Sequence, residues 1–146
     1  MKPKPFLRTW IVTSVVMIAV NGVFHGVAAA GFFDDHLAIL GNAVVKMKDF
    51  NPVPVIILEL ILISCLVLII TCFRNERLSM RESILTGGLF YLSTSATWNL
   101  ANAATLVSWP HIVTVVDVLW HFVSGLLAGW IIYKLFNRQF VSVKSL

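Results

Sequence analysis

The stretch "VPVIILELILISCLVLIITCF", Val53–Phe73, decides how this chain is built. It runs for 21 residues with one charged side chain, Glu59. A helix of that length rises ~31 Å, enough to cross a hydrocarbon core of ~30 Å. Strands rarely exceed ~10 residues, so the run reads as a membrane helix. Pro52 and Pro54 suit its first turn, where a missing backbone N–H costs nothing.

Outward from this segment, three further apolar runs have the same character: about Leu7–Ala30, Ile84–Leu106 and Ile112–Phe136. The whole chain of 146 residues is 58% hydrophobic and 12% charged, with a mean hydropathy of +0.88. Soluble domains hold only ~45–50% apolar residues. The expectation is an all-α, integral-membrane four-helix bundle forming a single transmembrane domain over residues 1–146, since four spans leave no room for a soluble domain. "SWP" at 108–110 supplies a tight turn between the third and fourth spans. "MKPKPFLR" ahead of an apolar run and "AAAG" at 28–31 also has a signal-peptide layout. The reading taken here is an uncleaved first span.

Cationic side chains set the expected orientation. Lys2, Lys4, Arg8, Arg74, Arg77, Arg81, Lys134, Arg138 and Lys144 fall on one side, against Lys46 and Lys48 on the other. Both termini are therefore expected in the cytoplasm. The net charge of +4 is mostly this bias. Nucleic acid is not an expected partner, because no basic patch interleaves with aromatics. Cys65 and Cys72 lie seven residues apart on one helix, ~10 Å in rise and too far for a disulfide.

The first outer loop, Gly31 to Asn51, carries Leu37, Leu40, Val44 and Met47 at helical spacing. A short amphipathic helix with Asp34 as its N-cap is expected there.

Counting depth at ~1.5 Å per residue collects the strong polar groups in one slab of the membrane. Asn21 and His25 lie in the outer half of the first span, Glu59 two turns into the second, Asn99 and Asn102 near the outer end of the third, and Asp117 and His121 enter the fourth from the same side. The inner halves carry almost no strong polar group. Asn21/His25 and Asp117/His121/Ser124/Ala128 are i,i+4 stripes, and Asn99/Asn102 is an i,i+3 pair. Ionisable groups facing lipid at mid-depth cost ~2.5–3.5 kcal/mol or more, so these stripes should turn inward and form a polar pocket or network. Trp98 and Trp120 lie deep enough to line it, whereas Trp109 suits the interfacial aromatic belt. "GVFHG" at 22–26 and "GLLAG" at 125–129 fit G-x-x-x-G, which serves packing either within one chain or between copies.

"TWNLANAATL" at 97–106, Trp109 and "VVDVLWH" at 115–121 resemble a family of small bacterial predicted inner-membrane proteins of unknown function, with YDLTN-x-ATL and VD-x-x-WG as hallmarks. Asn102, Ala104, Thr105, Leu106, Val116, Asp117 and Trp120 match. Asn99 stands where the family has aspartate, Trp98 where it has tyrosine, and His121 where it has glycine. "VNGVF" at 20–24 is similar to the family's Leu-Asp-x-x-Trp, with Asn21 for the acid. The resemblance spans nearly the whole chain and implies a multi-pass protein of the bacterial inner (cytoplasmic) membrane. It implies no activity.

Several chemistries can be drawn from these residues. His25, Glu59, Asp117 and His121 have metal-ligand side chains but lack the Glu-x-x-His of helix-bundle carboxylate centres, so no metal is expected. An Asp–His pair needs a nucleophile, and Ser95, Ser124 and Thr105 carry no local motif. The leading expectation is a non-enzymatic binding or assembly subunit that contacts a hydrophobic ligand such as a quinone-like ring, a lipid or a larger membrane complex through Asn21, His25, Glu59, Trp98, Asn99, Asn102, Asp117, Trp120 and His121. No cofactor is named by the sequence. Membrane lipids are the expected partners, with complex subunits or further copies of the chain beside them. The alternative is a small membrane enzyme or proton-coupled transporter using the same Asp/His/Glu cluster.

Overall fold

A computed structural model describes residues 3–46, 49–71 and 78–143. Lys2, Met47, Lys48, Cys72, Arg74, Arg77 and Lys144, used in the sequence reading, lie outside the described residues. All regular elements among the described residues are helical: α1 (Pro3–Val23), α2 (Ala30–Leu37), α3 (Val53–Thr71), α4 (Met80–Thr105) and α5 (His111–Val143). Three of them are long and apolar enough to cross a membrane, over Phe6–Ala28, Val53–Thr71 and His111–Arg138. α4, at 26 residues, is also long but richer in serine, threonine and asparagine.

Local signals explain the helix ends. Asn51 Oδ1 accepts from Val53 N (3.1 Å) at the start of α3. Ser79 Oγ accepts from Glu82 N at the start of α4, the S-x-x-E pattern that satisfies otherwise orphaned N–H groups. This cap starts α4 four residues before Ile84, where the apolar run begins. Ser108 takes a left-handed φ of 68° in the turn to α5. Asn137 in α5 then grips the strap ahead of α4, donating to Leu78 O (3.0 Å) and accepting from Leu78 N (3.1 Å).

α1 ends in a π-helical turn, Phe24–Ala28, closed by Ala29 N donating to Phe24 O at 2.7 Å. α2 follows at once. It starts at Ala30, so Asp34 lies inside the helix and not at its N-cap as the sequence suggested. A 3₁₀ segment, Ala38–Ala43, extends it, and Val44 is already extended backbone. Phe33 is the buried residue of α2, packed with Ala29 and Val113.

The core joins α1, α3, α4 and α5 through Met17, Ile63, Leu66, Val67, Ile70, Tyr91, Ala128, Ile132 and Phe136. α4 and α5 form the most extensive interface. Glycine makes it possible: a Cβ on Gly87 would overlap Gly125 O, and one on Gly129 would overlap Ser83 O. Backbones thus meet with no side chain between them, the close approach that small residues permit in membrane helices. The two G-x-x-x-G stretches part company here, because Gly22 and Gly26 have nothing within 4 Å of a built Cβ.

The half of α1 nearer its N-terminus differs from expectation. Thr9, Thr13 and Ser14 are buried there with hydroxyls that have no hydrogen-bond partner among the described residues. Their stripe, Thr9, Thr13 and then Met17, continues at i+4 spacing into Asn21 and His25.

Candidate functional site: a polar cluster on four helices

At the end of the bundle nearest α2, the C-terminal part of α1, the N-terminal part of α3, the C-terminal half of α4 and the N-terminal half of α5 converge. Asp117 is the hub. Its Oδ1 lies 2.9 Å from His25 Nε2, and its Oδ2 accepts from Ser95 Oγ and Asn99 Nδ2, both at 2.7 Å. One carboxylate therefore ties α5 to α1 and to α4. His121 sits one turn along α5, with Nδ1 2.9 Å from Asp117 O and 3.3 Å from Asp117 Oδ1. Asn99 also donates to Ser95 O (3.0 Å), which aims its amide at the hub.

A second acid lies beside the first network. Glu59 is 7% exposed, and its Oε1 accepts from Tyr91 Oη (2.5 Å) and Asn21 Nδ2 (3.1 Å). Asn21 Oδ1 in turn accepts from Trp120 Nε1 at 2.9 Å. The Asn21 backbone carbonyl lies 3.0 Å from His25 Nδ1, linking the two networks through α1. Buried polar groups in a bundle need such partners, and each member here has at least one.

Aromatic rings close the site. Phe24 stacks on Trp120 at 3.9 Å and 5°, and Phe33 of α2 lies 5.2 Å from the His25 ring. Phe24 and His25 open the π turn, a kind of turn that occurs often at functional sites. The histidines and the hub remain partly open, with side-chain exposures of 27% for His25, 20% for His121 and 14% for Asp117. Asn99, at 2% exposure, forms part of the closed floor. A groove lined by Leu7, Arg8, Ile11 and Val12 lies near the opposite end of α1.

The structure thus brings together Asn21, His25, Glu59, Asn99, Asp117, Trp120 and His121. It does not bring in Trp98, which is 67% exposed. One residue before Asn99 means a rotation of ~100°, which turns Trp98 to the outside when Asn99 faces in. Asn102 is partly exposed and its side chain makes no hydrogen bond among the described residues; its carbonyl caps α4 by accepting from Leu106 N. Tyr91, Phe24 and Phe33 belong to the cluster although the sequence reading did not place them there, and Ser95, weighed there only as a nucleophile, belongs to it as a donor to Asp117. Tyr91 and Ser95 lie at i−8 and i−4 from Asn99, so that stripe, followed toward the N-terminus, was the available signal.

A family model described as "Predicted membrane protein (DUF2177)" matches residues 6–134. The chain belongs to this family. No curated protein and no solved structure matches the chain. Within the DUF2177 family match, the cluster takes residues from both stretches that carried the resemblance, Asn99 from one and Asp117, Trp120 and His121 from the other.

The hydrogen-bond directions bear on chemistry. Ser95 Oγ donates to Asp117, Ser124 Oγ to His121 O (3.2 Å) and Thr105 Oγ1 to Ala101 O (2.8 Å). A nucleophilic hydroxyl has to face a base that its neighbour orients. Here the hydroxyls face a carboxylate already shared with other donors, or backbone carbonyls. His25, Asp117 and His121, by contrast, each bring one ligand-type atom within 4.8 Å of the other two.

Proposed function

We propose that this protein is a multi-pass protein of the bacterial inner membrane in which α1, α3, α4 and α5 all cross the bilayer, with both termini cytoplasmic. In this reading it works without catalysis, as a binding or assembly subunit whose polar cluster, in the outer half of the membrane, receives a hydrophobic ligand with a polar head, a lipid or a segment of a larger membrane complex. The observation that carries the reading is the commitment of Asp117 to His25, Ser95 and Asn99 in a site whose histidines stay partly open. Partly open polar groups give a bound molecule something to meet, and among the described residues the hydroxyls near Asp117 already donate to the carboxylate or to backbone carbonyls.

The span of α4 has its own support. Its 26 residues rise ~39 Å. Ser93, Thr97 and Thr105 return their hydroxyls to carbonyls four residues back, at 2.7–2.8 Å, which spares lipid an unsatisfied polar group. Arg8, Arg81, Lys134 and Arg138 lie toward the end away from α2, as a cytoplasmic face requires. Large apolar side chains face outward on every long helix, among them Val15, Ile61, Leu89 and Leu119. Bilayer lipid is the solvent that suits them.

Native mass spectrometry of the protein released from its own membrane tests this. A retained ligand or subunit mass that is lost from folded Asp117→Asn protein is the expected result. Bare chain in both preparations, with the fold intact, would overturn the binding reading.

A further inference from the structure

We propose that His25, Asp117 and His121 form a mononuclear site for a borderline divalent transition metal of the zinc class. The proposal rests on the reading of the cluster as a partly open binding site and names the ion it takes. Two imidazoles and a carboxylate suit zinc, iron, nickel or copper far better than calcium or magnesium, which prefer all-oxygen shells. Three protein ligands leave one tetrahedral position for water or for a group on a bound molecule. The absence of Glu-x-x-His argues against a dinuclear carboxylate centre, whereas a single ion has no need of that motif.

Geometry supports the assignment. Ligand atoms of a tetrahedral ion bound at ~2.0–2.1 Å stand ~3.3–3.4 Å apart. The pairs here are 2.9 Å for His25 Nε2 to Asp117 Oδ1 and 3.3 Å for His121 Nδ1 to the same oxygen, with all three ligand atoms within 4.8 Å. His121 Nδ1 also lies 2.9 Å from the Asp117 carbonyl oxygen, so binding exchanges that hydrogen bond and its proton for the ion.

The second observation concerns the nitrogens of His25. Nδ1 faces the Asn21 carbonyl oxygen at 3.0 Å, which accepts and so fixes Nδ1–H. Metal-bound imidazoles characteristically donate their other N–H in this way, to a carbonyl or carboxylate. Nε2 then points at a carboxylate oxygen 2.9 Å away. His25 Nε2 and that oxygen thus converge on one position, which a metal ion can take. His25 stands in the π turn at i+4 from Asn21, and His121 lies at i+4 from Asp117 as the second imidazole.

The test uses untagged full-length protein in detergent, stripped with chelator and titrated with Zn²⁺ and Co²⁺. The expected results are one ion per chain, proton release on binding, and visible Co²⁺ absorption from a nitrogen–oxygen site. His25→Gln and His121→Gln should each weaken binding at least ~100-fold, the upper end of what loss of an outer-shell partner alone costs. The double variant His36→Gln/His111→Gln should bind as the unaltered chain does, since both residues lie outside the cluster and are exposed. If a cluster variant fails to fold, ¹⁵N-histidine spectra of the unaltered protein with and without Zn²⁺ decide: shifts must fall on His25 and His121. No stoichiometric binding, or shifts centred on His36 or His111, overturns the metal site. Zinc binding with no retained ligand or subunit overturns the wider binding reading and leaves the metal site standing, and the reverse pattern does the opposite.

Discussion

Asp117→Ala removes one acceptor group from three donors on two other helices. His25 on α1 and Ser95 and Asn99 on α4 all lose their carboxylate partner at once. Side-chain hydrogen bonds between membrane helices average ~0.6 kcal/mol and reach ~1.7, so three lost contacts should cost about 2 kcal/mol, with an upper bound near 5. Asn99, at 2% exposure, lies where water does not replace the lost partner, which pushes the cost above the average. Asp117→Asn behaves differently. Its amide oxygen can serve Ser95 and Asn99 while its NH₂ donates to the His25 Nε2 lone pair, so most of the network survives. Reversible unfolding in mixed micelles, titrated with sodium dodecyl sulfate, measures both. Asp117→Ala within ~0.5 kcal/mol of the unaltered protein, the scatter of an ordinary surface change, would refute the hub. Equal losses for Ala and Asn would show that charge, and not acceptor geometry, holds the helices.

Two other contrasts follow from the packing. Gly87→Ala places a Cβ against the Gly125 carbonyl and should cost ~1–3 kcal/mol by overpacking, while Gly22→Ala, facing open space, should be neutral or gain up to ~1 kcal/mol from helix propensity; the same unfolding assay reads both. Trp98→Ala should leave stability within ~0.5 kcal/mol. Trp120→Ala removes the stack on Phe24, ~0.5–1.5 kcal/mol, and the bond to Asn21, ~0.6, for a loss of about 1–2 kcal/mol.

Hydropathy made α1, α3 and α5 legible, because a long uninterrupted apolar run has few other uses than crossing lipid. The depth count also placed Asn21, His25, Glu59, Asn99, Asp117 and His121 together, since helices that share a membrane must align their polar slabs. What it left obscure depended on rotation and local turns. Trp98 was drawn into the site by depth alone, although its neighbour Asn99 takes the inward direction. α4 starts at a serine cap that an apolar window overlooks, and α2 starts against the π turn and not at Asp34. Nothing in "VFHGVAA" announces the π turn; helix periodicity reports an average, and a single π turn is a departure from it. The partners of Asp117 come from residues 18 to 92 positions away and were not readable from spacing along one helix.

The central claim is that His25, at the end of α1, meets Asp117 of α5. A double-mutant cycle across His25→Ala and Asp117→Ala, read by unfolding in micelles, tests it most directly, because the cycle isolates the pairwise contact from the other losses each change causes. The structure predicts a coupling of ~0.6–1.7 kcal/mol between the two residues. Additivity within ~0.3 kcal/mol would mean that the two side chains do not meet, and would contradict the site built on them.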